Sequence, residues 1–358
     1  MPVFFEFLLI ALLIFLWESV LWLPKQGTAL RRSLFGNTWR AIPATRFLAI
    51  RELGAIPLMP LPTNTRLFPC SGFPLAVDAA GAIHIESPSG IFLKTGAKSW
   101  DDIRFSTPHL HVGDLSTRCQ SPRTVETLRE CKKAGLSPAE AIRRAWELSL
   151  SPPRAKREMK RWTITVKPLA LYCPALCLGF FAGLPAAYLT LGPISAVWLG
   201  AWLWCLMLAI SLQLFAISKD ILPSTRSAIR QDALLSLVVP FHAMRAAELA
   251  AVHAFAGTHP VAILLSHGAT ENPWLGQFVR SLRYPRPTHP GDIALAETAL
   301  GPLENSLARF ALGTDRYLTA PDRSEDPEVT AWCPRCHGMF LDGVAACRDC
   351  GGLSLEKF

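Results

Sequence analysis

From Pro168 to Ser218 the chain carries no Asp, Glu, Lys, Arg or His, and this run limits the possible folds more than any other feature. A helix of about 20 residues, rising about 1.5 Å per residue, crosses a hydrocarbon core of about 30 Å, so the run has room for two spans. Gly192 and Pro193, adjacent in LTLGPIS, read as a helix stop followed by a helix start. Spans are therefore expected near 168–190 and 194–217, forming a transmembrane hairpin over 168–218. Gly179, Gly183 and Ala187 recur every four residues and give the earlier span a small-residue face on which a second helix can approach closely. Pro174 and Pro185 are expected to kink or break that span locally.

A further apolar stretch opens the chain, MPVFFEFLLIALLIFLWESVLWL, and residues 1–23 read as an N-terminal transmembrane anchor. No positive region precedes it and no small-x-small pattern follows, which argues against a cleaved signal peptide. Glu6 sits at the helix N-terminus, where the dipole favours an anion. Glu18, between Trp17 and Trp22, is placed to snorkel to the headgroups.

Charge asymmetry sets the expected topology. Residues 24–167 hold 23 Lys or Arg against 11 Asp or Glu, a net of +12, whereas residues 219–358 hold 13 against 15, a net of −2. Lys25, Arg31, Arg32 and Arg40 follow the first span; Arg154, Lys156, Arg157, Lys160, Arg161 and Lys167 precede the second. Both flanks are then cytoplasmic, with the N-terminus outside, as in a multi-pass bacterial inner (plasma) membrane protein.

Within 24–167, residues 38–120 contain short β-rich runs such as PLAVDAAGAIHIE, GIFLKTG, DDIRFS and HLHVGD, separated by Gly, Pro and Asp. Helices are expected over 122–150, one opened by Ser137, Pro138 and Glu140 as a capping box. Residues 219–320 read as a helical cytoplasmic domain: one helix through FHAMRAAELAAVHAF, one after Asn272–Pro273, and one through GDIALAETALGPLENSLARFALG. PDRSEDPEV falls in an acidic linker over 321–330, leading to a small module over 331–358. The expected fold class is an α+β membrane protein with three transmembrane helices, a strand-rich domain closed by helices, a helical bundle and a small metal knuckle.

That module reads AWCPRCHGMFLDGVAACRDCGG, with Cys333-x2-Cys336 and Cys347-x2-Cys350 separated by ten residues. Cytosolic thiols stay reduced, so paired cysteines there bind metal more often than they form disulfides. Two such turns supply four thiolates that close a tetrahedron around one zinc ion, while Gly338, Gly351 and Gly352 give the backbone freedom for amides to approach sulfur. The tail resembles zinc-ribbon and rubredoxin-type knuckles, which implies a structural metal with no open coordination position. The order of strands and closing helix over 38–150, with SWDDIRF, is similar to a bacterial pleckstrin-homology-like domain, implying a binding module at the membrane surface.

Rival readings attach to other residues. CPRCH also fits the attachment motif for c-type haem, with His337 as axial ligand, which would make the chain an electron carrier. A membrane-bound enzyme would need a site of histidines and carboxylates between the cytoplasmic domains. His109 and His111 alternate on one strand with Asp114 nearby, and so are spaced to chelate together. His242 and His253 share a helix face but stand about 16 Å apart along the axis, with Glu248 off that face. Cys173 and Cys177 are one turn apart in the second span; Cys70, Cys119 and Cys131 lack metal spacing. There is no phosphate-cradling glycine loop, Gly-x-Ser-x-Gly elbow or His-Glu-x-x-His. The residues therefore point to binding or scaffolding that docks a protein partner, a second copy or the anionic lipid surface, with the lipid bilayer as membrane partner and with no small-molecule or nucleic-acid site evident.

Overall fold

The computed structural model describes residues 73–358, apart from 88–90, 107–108, 119–121, 220, 222, 239–241, 323–325 and 327. Before residue 73 it describes three strands together with the helical positions Glu6, Leu9, Ile10 and Leu13. The strands β1 (Gly27–Arg32), β2 (Trp39–Pro43) and β3 (Leu67–Ser71) form a sheet of order β2-β1-β3. Glu18 and nearly all of the expected first span lie outside the described residues. The chain is a mixed helix and sheet protein that divides into two compact units. One comprises Met1–Phe35, Ile42–Cys70 and Arg157–Ala256; the other comprises Gly36–Ala41, Ser71–Lys156 and Gly257–Phe358.

The second unit is built on two antiparallel sheets, β4 (Leu75–Val77), β5 (Ile83–Glu86) and β6 (Phe92–Lys94), then β7 (Ile103–Ser106), β8 (His109–Val112) and β9 (Leu115–Arg118). Its helices are α1 (Pro122–Lys133) and α2 (Pro138–Ser149), followed later in the chain by α8 (Pro260–Ser266), α9 (Pro273–Arg283) and α10 (Pro290–Ala308). The capping box opens α2 as its sequence demands: Ser137 Oγ accepts from Glu140 N–H, and the Glu140 carboxylate accepts from Ser137 N–H at 2.8 Å. Asn272 caps α9 with a single bond, its Oδ1 accepting from Trp274 N–H at 3.0 Å.

All three residues of β4 are buried, so its unpaired edge needs partners from helices. The Trp146 indole N–H of α2 donates to Leu75 O at 2.7 Å. Thr298 Oγ1 of α10 accepts from Val77 N–H at 2.7 Å, and has the carbonyls of Val77 (2.9 Å) and Ala294 (2.7 Å) to donate to. Helix α10 also needs Gly291, because a Cβ there would stand 1.9 Å from Phe92 O of β6. Thus the strand-rich segment and the later helices share one core.

The first unit contains the long helix α3 (Pro152–Leu178) from Arg157 onward, a π turn at Gly179–Gly183, α4 (Leu184–Leu191) and α5 (Pro193–Ser218), followed by α6 (Pro223–Leu235) and α7 (His242–Phe255). The local break expected from the two prolines falls between them. The Leu184 N–H bonds Gly179 O, five residues back, and Pro185 has no N–H to offer to the usual ladder. Gly192, at φ 88°, supplies the left-handed turn into α5.

Among the described residues, α5 alone is long and apolar enough to cross a membrane, with mean hydropathy 1.9 over its best window. The expected second span is divided among the end of α3, the π turn and α4, and its shorter apolar part is Gly179–Leu191. The small-residue face has its neighbour within the chain: a Cβ at Gly179 would meet Leu203 Cδ2 at 2.4 Å, and one at Gly183 would meet Leu199 Cδ2 at 3.4 Å. Arg226 donates to the carbonyls of Lys219 and Ile221, just past the end of α5.

Candidate metal centre

The C-terminal residues fold into two small hairpins. Strand β10 (Val329–Trp332) pairs antiparallel with β11 (Met339–Leu341), Trp332 opposite Met339, and on its other side with β14 (Glu356–Lys357). Strands β12 (Ala346–Cys347) and β13 (Leu353–Ser354) form the second, with Cys347 opposite Leu353. Cys333 and Cys336 lie in the turn of the first hairpin, while Cys347 ends β12 and Cys350 lies in the turn of the second.

In the first turn Cys333 N–H donates to Gly338 O at 2.9 Å and His337 N–H to Cys333 O at 2.9 Å. His337 takes the left-handed conformation, φ 60°. The Gly338 amide then reaches Cys336 Sγ at 3.4 Å. In the second, Gly352 N–H donates to Cys347 O at 2.9 Å, and Gly351 and Gly352 have φ of 69° and 82°, which glycine adopts without strain.

These turns bring the four sulfurs of Cys333, Cys336, Cys347 and Cys350 within 4.8 Å of one another. The Cys336 and Cys347 sulfurs are 3.9 Å apart, far outside a disulfide bond of about 2.05 Å. Bonds of about 2.3 Å from zinc would put tetrahedral sulfurs about 3.8 Å apart, so the donor set and spacing fit a four-coordinate ion. Cys333, Cys347 and Cys350 are buried, Phe340, Leu353 and Leu355 pack against them, and Cys336 is exposed. Burial and the crowding of neighbouring thiols push Cys350 up, and burial does the same at Cys333. At Cys336 burial also acts upward, but the Gly338 N–H and the other thiols outweigh it and hold the group below its usual value. A divalent cation held by the four sulfurs would resolve that conflict by replacing their protons.

The centre is not a free tail. Arg335, between Cys333 and Cys336 in sequence, donates through Nη1 to Ser281 O (3.2 Å) and Tyr284 O (2.7 Å) at the end of α9. Its Nη2 reaches Asp292 Oδ2, in the first turn of α10, at 3.0 Å. Arg286 holds the same carboxylate through Nε (2.7 Å) and Nη2 (3.1 Å). Burial works against the charged form of Asp292, and the two arginines overcome it, leaving its pKa below the usual value. Arg280 Nε donates in return to Arg335 O at 3.2 Å. From the second turn, Gly351 lies so close to Thr288 that a Cβ would stand 2.5 Å from Thr288 Oγ1. Both cysteine turns therefore bear on the α9–α10 connection. Sequence reading missed this anchorage, because nothing in CPRCH marks Arg335 as more than a solvated charge.

The other candidate residues are not members of this cluster. His109 and His111 do share a face of β8, ring centroids 6.2 Å apart, but His111 Nε2 meets Ser106 Oγ at 2.7 Å and both rings are at least partly exposed. His242 Nδ1 faces Asp232 Oδ1 at 3.2 Å, a single carboxylate. His253 is buried, and the side chains of Glu248, Cys173, Cys177, Cys70 and Cys119 lie outside the described residues. Cys131 is buried in α1, and burial pushes its thiol up. The two cysteines of CPRCH share one cluster with the second pair, and His337 packs edge-on against Trp332, centroids 5.2 Å apart. Among the described residues these four cysteines are the one group arranged to hold a metal ion.

Fold and site together define a mixed helix and sheet protein with, among the described residues, one helix apolar enough for a membrane and a four-cysteine cluster able to hold a metal. No protein family, curated protein or solved structure matches the chain.

Proposed function

We propose that this is a multi-pass inner-membrane scaffold whose C-terminal cysteine turns hold a structural zinc ion in a zinc-ribbon-like module. In this reading residues 1–23, 168–190 and 194–217 span the bilayer, the N-terminus is outside, and 24–167 and 219–358 face the cytoplasm. The membrane partner is the lipid bilayer, and the soluble regions present a surface for a protein partner or a second copy. The apolar helix Pro193–Ser218 and the basic flanks support the placement.

The observation that carries the zinc reading is the convergence of four sulfurs within 4.8 Å, with three of the four buried. Four thiolates fill a tetrahedral ion, so the metal supplies rigidity rather than an open position for reaction. Through Arg335 that rigidity extends to the α9–α10 connection. Elemental analysis with a visible spectrum on detergent-purified protein tests the reading. About one zinc per chain and no haem band is the expected result; a metal-free protein with all four thiols reactive, or a haem band, overturns it.

A further inference from the structure

Helix α3 changes character along its length. Its inward stripe, Met159, Trp162, Val166 and Leu169, is buried and apolar throughout. Its outward stripe begins with the exposed Arg157 and Lys160, passes the exposed Ile164 (64%), and reaches the exposed Lys167. Residues spaced by three and four lie on one face of a helix, so these side chains form a continuous ridge. Beyond Lys167 none of the described exposed positions of the same helical path is charged, and Leu178, Leu189 and Leu191 are among them.

The partner helix shows the same boundary. Helix α5 runs antiparallel to this path, because Gly179 faces Leu203, Gly183 faces Leu199 and Gln213 Nε2 donates to Thr165 O at 3.1 Å. Trp198, Trp202 and Leu212 of α5 are 68%, 75% and 62% exposed, and the first charge after them is the exposed Lys219. From the turn at Gly192 to Gln213 the helix rises about 30 Å, the thickness of a hydrocarbon core. Taking the paired Thr165 and Gln213 as the boundary of a bilayer inserted from the Gly192 end, Lys167 stands about 3 Å inside it, Lys160 and Lys219 about 8–9 Å outside it and Arg157 about 12 Å outside it.

We propose that this row of cations on α3, with Lys219 of α5, is a binding site for anionic phospholipid headgroups, with Ile164 set between Lys160 and Lys167 at the boundary of the acyl region. The inference rests on the membrane reading above and adds a lipid specificity to it. Phosphodiester headgroups suit the site because long Lys and Arg side chains keep their stems on apolar surface while the charged ends reach the phosphate level. Each such cation near the surface corresponds to about a five-fold preference for anionic lipid.

The test reconstitutes the full chain in nanodiscs of phosphatidylcholine and in discs containing phosphatidylglycerol, and then counts lipid retained per chain by native mass spectrometry after detergent exchange. Phosphatidylglycerol retained over phosphatidylcholine by ten-fold or more, falling toward parity in R157Q/K160Q/K167Q/K219Q, is the expected result. Independently of any variant, 0.5 M NaCl should collapse the wild-type preference. Wild-type parity between the two lipids overturns the headgroup site while insertion into phosphatidylcholine discs keeps the membrane reading. Failure to enter either disc overturns both. Displacement of phosphatidylglycerol by millimolar inorganic phosphate would identify a free-phosphate site instead and likewise overturns the proposal.

Discussion

Arg335 Nη2 lies 3.0 Å from Asp292 Oδ2, so a side chain that leaves the backbone between two cysteines ends on the first turn of helix α10. The direction of that side chain depends on the Cys333–Cys336 turn being closed. A metal that closes this turn would therefore be physically linked to the seating of the α9–α10 connection.

Replacing Arg335 by alanine should separate the two. The variant keeps all four cysteines, but Asp292 loses one of its two cations and the carbonyls of Ser281 and Tyr284 lose their donor. Charge-assisted hydrogen bonds of partly buried groups put the cost at about 2 kcal/mol after discounting for solvent. Hydrogen exchange should rise across 281–292 while zinc content stays near one per chain. Unchanged protection there would show that Arg335 does not hold the module.

Metal removal should act on the module before the rest. A segment so short buries too little apolar surface to fold alone, so binding and folding are coupled. Cys347→Ala, which removes a fully buried ligand, or a strong zinc chelator, should make residues 329–358 protease-sensitive and leave α5 in the membrane fraction. Protease resistance equal to wild type after complete metal loss would refute the coupling.

How much of this was legible depended on distance along the chain. The start of α2 is written in Ser137 and Glu140, that of α9 in Asn272 and Pro273, and the two cysteine pairs declare their chemistry by spacing. Helix α8 was missed because it has seven residues, of which Pro260 to Leu265 are all buried, so it has no polar face to give a period. Strand β9 falls inside the β-rich stretch 38–120, and Gly113 and Asp114 form the two-residue turn that announces it. What no local pattern reveals is which segments share a core: Thr298 seals the edge of β4 from 221 residues away.

That contact gives a direct prediction. Thr298→Val keeps the shape but leaves the Val77 N–H and C=O without their buried partner, at a cost of about 1–3 kcal/mol. Gly291→Ala should cost about 3 kcal/mol or more, because a Cβ 1.9 Å from a backbone oxygen forces α10 off β6. Thermal unfolding in detergent reads both, and a Gly291→Ala protein as stable as wild type would contradict the close helix–strand approach.

The pH dependence of stability should carry the mark of His259. Its ring caps α8 by accepting from Val261 N–H at 3.3 Å and is surrounded by Trp146, Trp274 and Phe278 at centroid distances of 5.8, 5.8 and 4.4 Å. Burial alone pushes its pKa down to about 3 from 6.5. Between those values the unfolded chain binds a proton that the folded chain refuses, so stability is full above about 6.5 and falls as pH drops toward 3. His259→Asn retains a capping acceptor without a titrating ring. It should be less stable at neutral pH through lost packing, yet its stability should decline less steeply than that of wild type between pH 6.5 and 4. Parallel slopes in the two proteins would mean that the buried imidazole takes up its proton without unfolding, and that the aromatic enclosure does not exclude the charge.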